Sequence, residues 1–171
     1  MTVRPLRVLL ALAVLPALGA LAGCTVPIAG VAGIAVTADG KPLGVIRMCH
    51  DRIDGALVHP YDDAAGGPDP TGDPDPTGVW NHDTPVTDFT SWSLGSPADG
   101  WTAEKPLAPL VPGQQYGLYG WTEGNSWSTT SVLFTTVDLA KLVPGQVRYQ
   151  RGDEVRTVSL DDFRAKACEG F

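Results

Sequence analysis

The chain has 171 residues, with 12 basic side chains against 19 acidic ones and a formal charge of −7. That length suits one leader and one domain. With lysine only at Lys41, Lys105, Lys141 and Lys166, there is no basic surface for nucleic acid or anionic headgroups.

Arg4 and Arg7 precede an apolar run, residues 8–22, that ends in Leu21-Ala22-Gly23-Cys24. A basic start, a short apolar stretch and small residues before a cut make a secretory signal. A transmembrane helix needs roughly 20 apolar residues. This run is shorter, and Pro16 and Gly19 interrupt it. Leu-Ala-Gly-Cys resembles the lipobox of bacterial lipoproteins. The Ala/Gly/Pro-rich composition is similar to that of small, mostly uncharacterised lipoproteins of high-GC Gram-positive bacteria. The resemblance implies cleavage before Cys24, a diacylglyceryl group on that cysteine, and a lipid-anchored place on the extracytoplasmic face of the cell membrane. It carries no known activity. Each buried methylene contributes about 0.8 kcal/mol, so two or three acyl chains anchor firmly where one would not. Residues 1–23 hold two of the twelve basic side chains and none of the nineteen acidic ones, which leaves ten against nineteen, a balance of −9.

The remainder divides into a tether at 24–29, with Pro27 and no charge, and a domain at 30–171. Residues 34–37 and 43–48 are apolar or β-branched around Asp39-Gly40, a strong hairpin signal. Ala56-Leu57-Val58 is another short strand. Residues 62–78 contain a tandem unit, Pro68-Asp69-Pro70-Thr71-Gly72-Asp73 then Pro74-Asp75-Pro76-Thr77-Gly78. Proline removes donors and the stretch has little to bury, so it is expected to form a flexible surface loop. Strand signals resume over 86–94. Leu110-Val111-Pro112-Gly113 followed by Tyr116 resembles the tyrosine corner of fibronectin type III and immunoglobulin-like sandwiches. The resemblance implies that the phenol bonds upstream backbone near residues 110–113. A strand over 127–137 is expected to follow, with Gly124-Asn125 in the turn. No cysteine lies two residues after Tyr116, which departs from the immunoglobulin pattern.

At the C-terminus, 146–151 and 154–159 form a hairpin turning at Gly152-Asp153. Ser159 then caps a short helix, with Asp162 at the capping-box position. Leu160, Phe163, Ala167 and Cys168 share one face of it. Cys49 and Cys168 are left once Cys24 is acylated, and an exported pair favours a disulfide over two separate thiols. The expected fold is mostly β, an immunoglobulin/fibronectin-like antiparallel β-sandwich with a short C-terminal helix.

Sites are harder to find. His50, His59 and His82 lack metal-ligand spacing and are expected to act independently, with no metal and no cofactor. Asp73 opens like a calcium loop, but Pro76 and Thr84 break the pattern. Arg151-Gly152-Asp153 is the tripeptide that adhesion receptors read, here expected to serve as a turn. No nucleophile elbow, zincin motif or phosphate loop is present, so no catalytic residue is assigned. If Tyr116 and Leu118 face the core, Tyr119 and Trp121 face outward. They line either an aromatic binding patch or, as favoured here, a seam under the C-terminal hairpin, because exposed apolar patches are uncommon. The function expected is a non-enzymatic binding or structural module of the cell envelope, with an unknown protein or glycan partner. The rival is a secreted carboxylate-dependent hydrolase, betrayed by a deep pocket with two convergent acids.

Overall fold

A computed structural model describes residues 26–61 and 76–171. Residues 1–25, which include the expected leader and Cys24, and residues 62–75 of the proline-rich stretch lie outside the described residues. The fold is mostly β. Strands β1 (Ile28–Val36), β2 (Pro42–Met48), β3 (Ile53–Tyr61), β4 (Gly78–Val86), β5 (Phe89–Ser93) and β6 (Trp101–Lys105) come first in the chain. They are followed by β7 (Gln115–Trp121), β8 (Ser128–Thr130), β9 (Val132–Phe134), α1 (Thr136–Lys141), β10 (Gln146–Arg151), β11 (Glu154–Ser159) and α2 (Leu160–Lys166).

The backbone path runs β5-β2-β1-β8-β7-β3-β4-β6 without a break. Every pairing on it is antiparallel except β1 with β8, which is parallel. The expected sandwich with its C-terminal helix fits this roughly, with the strands joined into one sheet that is nearly closed into a barrel. The joint is β8, whose three residues pair with β1 while Ser128 also pairs with Trp121 of β7. Side chains close the remaining seam between β5 and β6. Trp92 and Trp101 stack with centroids 4.1 Å apart, and Trp101 Nε1 donates to Thr90 Oγ1 at 2.9 Å.

The sheet forks at β1. Its first half pairs with β8, while Gly33, Ile34 and Ala35 pair with β10. Strand alternation then builds two cores on the two faces of β1 and β2. Ala32, Ile34, Ile46 and Met48 face the barrel interior with Trp80, Leu118, Val132 and Phe134. Val31, Ala35 and Val45 face outward, where Val147, Tyr149, Phe163 and Ala167 cover them. Phe163 comes from α2 and Ala167 is its C-cap; the N-cap Ser159 accepts from Asp162 N, as the sequence suggests. The Asp39-Gly40 turn is also as expected: Gly40 has φ +77°, and hydrogen bonds from Lys41 and Thr37 hold the Asp39 carboxyl down at about 2.

Other boundaries differ from the sequence reading. Thr77, just before β4, is buried and its N–H donates to Val58 O at 2.7 Å, while residues 62–75 of the expected loop lie outside the described residues. The strand expected over 86–94 is the end of β4, a turn, and β5. The strand expected over 127–137 is split into β8 and β9 and ends in α1, whose Thr135 and Asp138 form a reciprocal capping box. Tyr116 is buried, and its hydroxyl accepts from Val111 N at 2.8 Å.

Candidate functional site

Alternation places Gly55, Leu57, His59 and Tyr61 of β3 on the outside of the barrel, opposite Trp121, Tyr119, Gly117 and Gln115 of β7. Two of these pairs set glycine against a large ring. A Cβ on Gly55 would lie 2.5 Å from Trp121 Cζ2, and one on Gly117 would lie 2.6 Å from His59 Nε2. Each ring thus lies down across its neighbouring strand because no side chain stands there. Tyr119 meets His59 edge-on at 5.7 Å, and Tyr61 leans on the same imidazole. His59 is only 5% exposed despite facing outward. Burial pushes its pKa below the usual 6.5, and the carbonyl of Pro60 at 2.9 Å from Nδ1 opposes that only in part.

Tyr119 and Trp121 are half-buried. The expected cover for them is misplaced: β10 and β11 pair on β1, and α2 packs beside that hairpin over the outward faces of β1 and β2. Trp121 instead borders an open groove of about 370 Å³, lined by Asp54, Asn81, His82, Glu104, Trp121 and Glu123. Its polar groups are positioned by short contacts. Asp54 Oδ2 accepts from Glu123 N at 2.9 Å, and Arg52 approaches Oδ1 at 3.4 Å. Glu104 Oε2 accepts from Asn81 Nδ2 at 2.9 Å. The His82 ring turns the other way, with Nδ1 2.5 Å from Thr84 O and its edge on Trp101. The Trp121 indole nitrogen is buried and meets no acceptor. An acidic groove walled by an indole suits a ligand with hydroxyls or positive charge, since a ring face stacks on sugars and attracts cations.

The three histidines stay apart in their contacts. His50 packs on Trp127 and Phe171, His59 on Tyr119, and His82 on Trp101. Among the described residues no cluster of three or more histidines, cysteines or acids could hold a metal ion. Cys49 and Cys168 are joined as a disulfide, with Cα atoms 5.3 Å apart. Arg151-Gly152-Asp153 is the tip of the β10–β11 hairpin, with Gly152 at φ +58°. Cys24, the expected lipidation site, lies outside the described residues.

Sequence reasoning found Trp121 but not the acids beside it. Asp54, Glu104 and Glu123 come from β3, β6 and the turn after β7, and only the barrel brings those segments together. No family model, curated protein or solved structure matches this chain.

Proposed function

We propose that the protein is a lipid-anchored extracytoplasmic binding module of the cell envelope, acylated at Cys24 and binding its ligand along the groove beside Trp121. The address rests on the Leu21-Ala22-Gly23-Cys24 motif and the leader before it. The exported setting fits a domain stapled by the Cys49–Cys168 disulfide. The binding reading is carried by one observation: an open groove in which a half-buried tryptophan lies among carboxylates and an amide. An envelope glycan or a cationic peptide is the ligand class this chemistry suits. The tyrosine corner at Val111 and Tyr116 supports a kinship in form with fibronectin-like domains. The hydrolase reading draws on the same groove, because Asp54, Glu104 and Glu123 all line it.

Two experiments test the proposal. Cys24→Ala should release or mis-process the chain, and unchanged membrane retention and precursor mass would overturn the anchor. Titration of the full lipidated protein with soluble envelope glycans and cationic peptides should show saturable binding. Trp121→Ala should weaken it about tenfold, or about 1.4 kcal/mol. Release of shorter glycan products, abolished by Glu104→Gln, would instead establish the hydrolase.

A further inference from the structure

The chain enters the barrel at one pole, and four segments meet there. Pro27 O accepts from Ser128 N at 3.0 Å, and Ala29 O accepts from Cys49 N and His50 N at 2.9 and 3.1 Å. The disulfide then draws the C-terminal residues to the same place. His50 sits edge-on to Trp127 with centroids 5.4 Å apart, and Phe171 leans on His50 at 6.2 Å. Ile28, whose strand partner Ser128 adjoins Trp127, is 45% exposed, and Phe171 is 52% exposed. This pole therefore carries an aromatic and aliphatic cluster, Ile28, His50, Trp127 and Phe171, that the fold leaves partly uncovered.

Only two peptide steps separate Cys24 from Val26, and a chain spans at most about 3.6 Å per residue. Val26 thus lies within about 7 Å of the cysteine that the proposed anchor fixes at the bilayer surface. One headgroup layer is roughly 5–8 Å thick, the difference between the whole bilayer and its hydrocarbon core shared over two leaflets. The pole is therefore held within about the depth of one headgroup layer of the anchor. We infer that the Ile28–His50–Trp127–Phe171 cluster docks on the headgroup layer of the bilayer that holds the anchor, as a second membrane contact that fixes the orientation of the barrel. This inference rests on the anchor proposed above. The ring chemistry suits the place, since tryptophan favours the zone where one end of the ring is apolar and the other wet. The exposed acids Asp51, Glu123 and Glu169 in the same segments keep the contact shallow, with Arg52 and, beside Gly170, Arg151 the neighbouring cations.

The experiment uses the full processed protein, with its own acyl chains, in phosphatidylcholine vesicles containing a lipid that bears a nitroxide on the headgroup. The nitroxide should remove part of the tryptophan emission in the wild type, and Trp127→Phe should abolish that loss. Hydrogen exchange provides a reading without substitution. Moving the protein from detergent to vesicles should slow the amides of residues 125–128 and 169–171 and leave residues 111–114 unchanged. Acylated protein with equal quenching in both forms, and no slowing at 125–128, overturns the docking alone. An intact mass without acyl groups on Cys24 overturns the anchor and this inference with it.

Discussion

The two cores of this protein share strands β1 and β2 but are held in different ways. The inner core, with Trp80, Leu118, Val132 and Phe134, is enclosed by a sheet that returns on itself, so most of its strands are held from both sides. The outer core, with Val31, Val45, Tyr149 and Phe163, is roofed by one hairpin and a helix of seven residues. A helix that short is unstable without tertiary support. Its cap at Ser159, its one fully buried ring at Phe163 and the disulfide that follows are the supports it has. Sheet closure thus confers stability by topology, whereas the outer layer depends on a few local devices and one covalent bond.

Reducing the disulfide is the largest way to break this contrast. The bond closes a loop with a sequence separation of 119, for which chain entropy gives about 4–5 kcal/mol. Exchange of α2 amides should accelerate before that of β3 and β7, and the native protein should show no reactive thiol until reductant is added. Simultaneous exchange of both sets would show that the cores are a single cooperative unit. Trp92→Ala attacks the opposite core, where it removes the ring that stacks on Trp101 across the seam. It should cost about 3–5 kcal/mol in denaturant unfolding, with α2 and β7 losing protection together.

Two smaller substitutions sharpen the comparison because their costs are alike and their reach is not. Tyr116→Phe leaves Val111 N–H without its acceptor and should cost about 1 kcal/mol across the whole barrel. Ser159→Ala removes the helix cap and should also cost about 1 kcal/mol, read as exchange in α2 alone.

The smallest effect is that of pH through His59. Burial holds its pKa below 6.5 in the folded chain, so the unfolded chain takes up the proton first as pH falls. The contribution to stability is complete above pH 6.5 and declines below it, until the folded imidazole is protonated too. His59→Gln should flatten that part of the profile of denaturation midpoint against pH.

The features legible in the sequence were those whose cause is local. Gly40 and Gly152 announce their hairpins because few residues but glycine take their backbone angles, and Ser159 announces a helix because its hydroxyl serves an amide three residues on. Tyr116 is found for a similar reason, with its partner only five residues away. Helix α1 had a local signal too, Thr135 and Asp138, but its six residues follow β9 so closely that they read as more strand. By contrast, β4 contains Asn81, Asp83 and Pro85 and becomes a strand only because β3 and β6 lie on either side. The groove was hidden for the same reason: Trp121 was visible by alternation, while its acidic neighbours depend on pairings between distant segments.

One further consequence follows from the place of β1 in the sheet. It runs from the pole where the chain enters, and β2, β8 and β10 hydrogen-bond along its two edges. Tension applied at Val26 along the strand acts parallel to those neighbours and must shear many hydrogen bonds at once. It cannot open them one by one, as a pull across an edge strand would. A load carried at that end is therefore resisted in shear, and the first segments to yield should be those remote from β1.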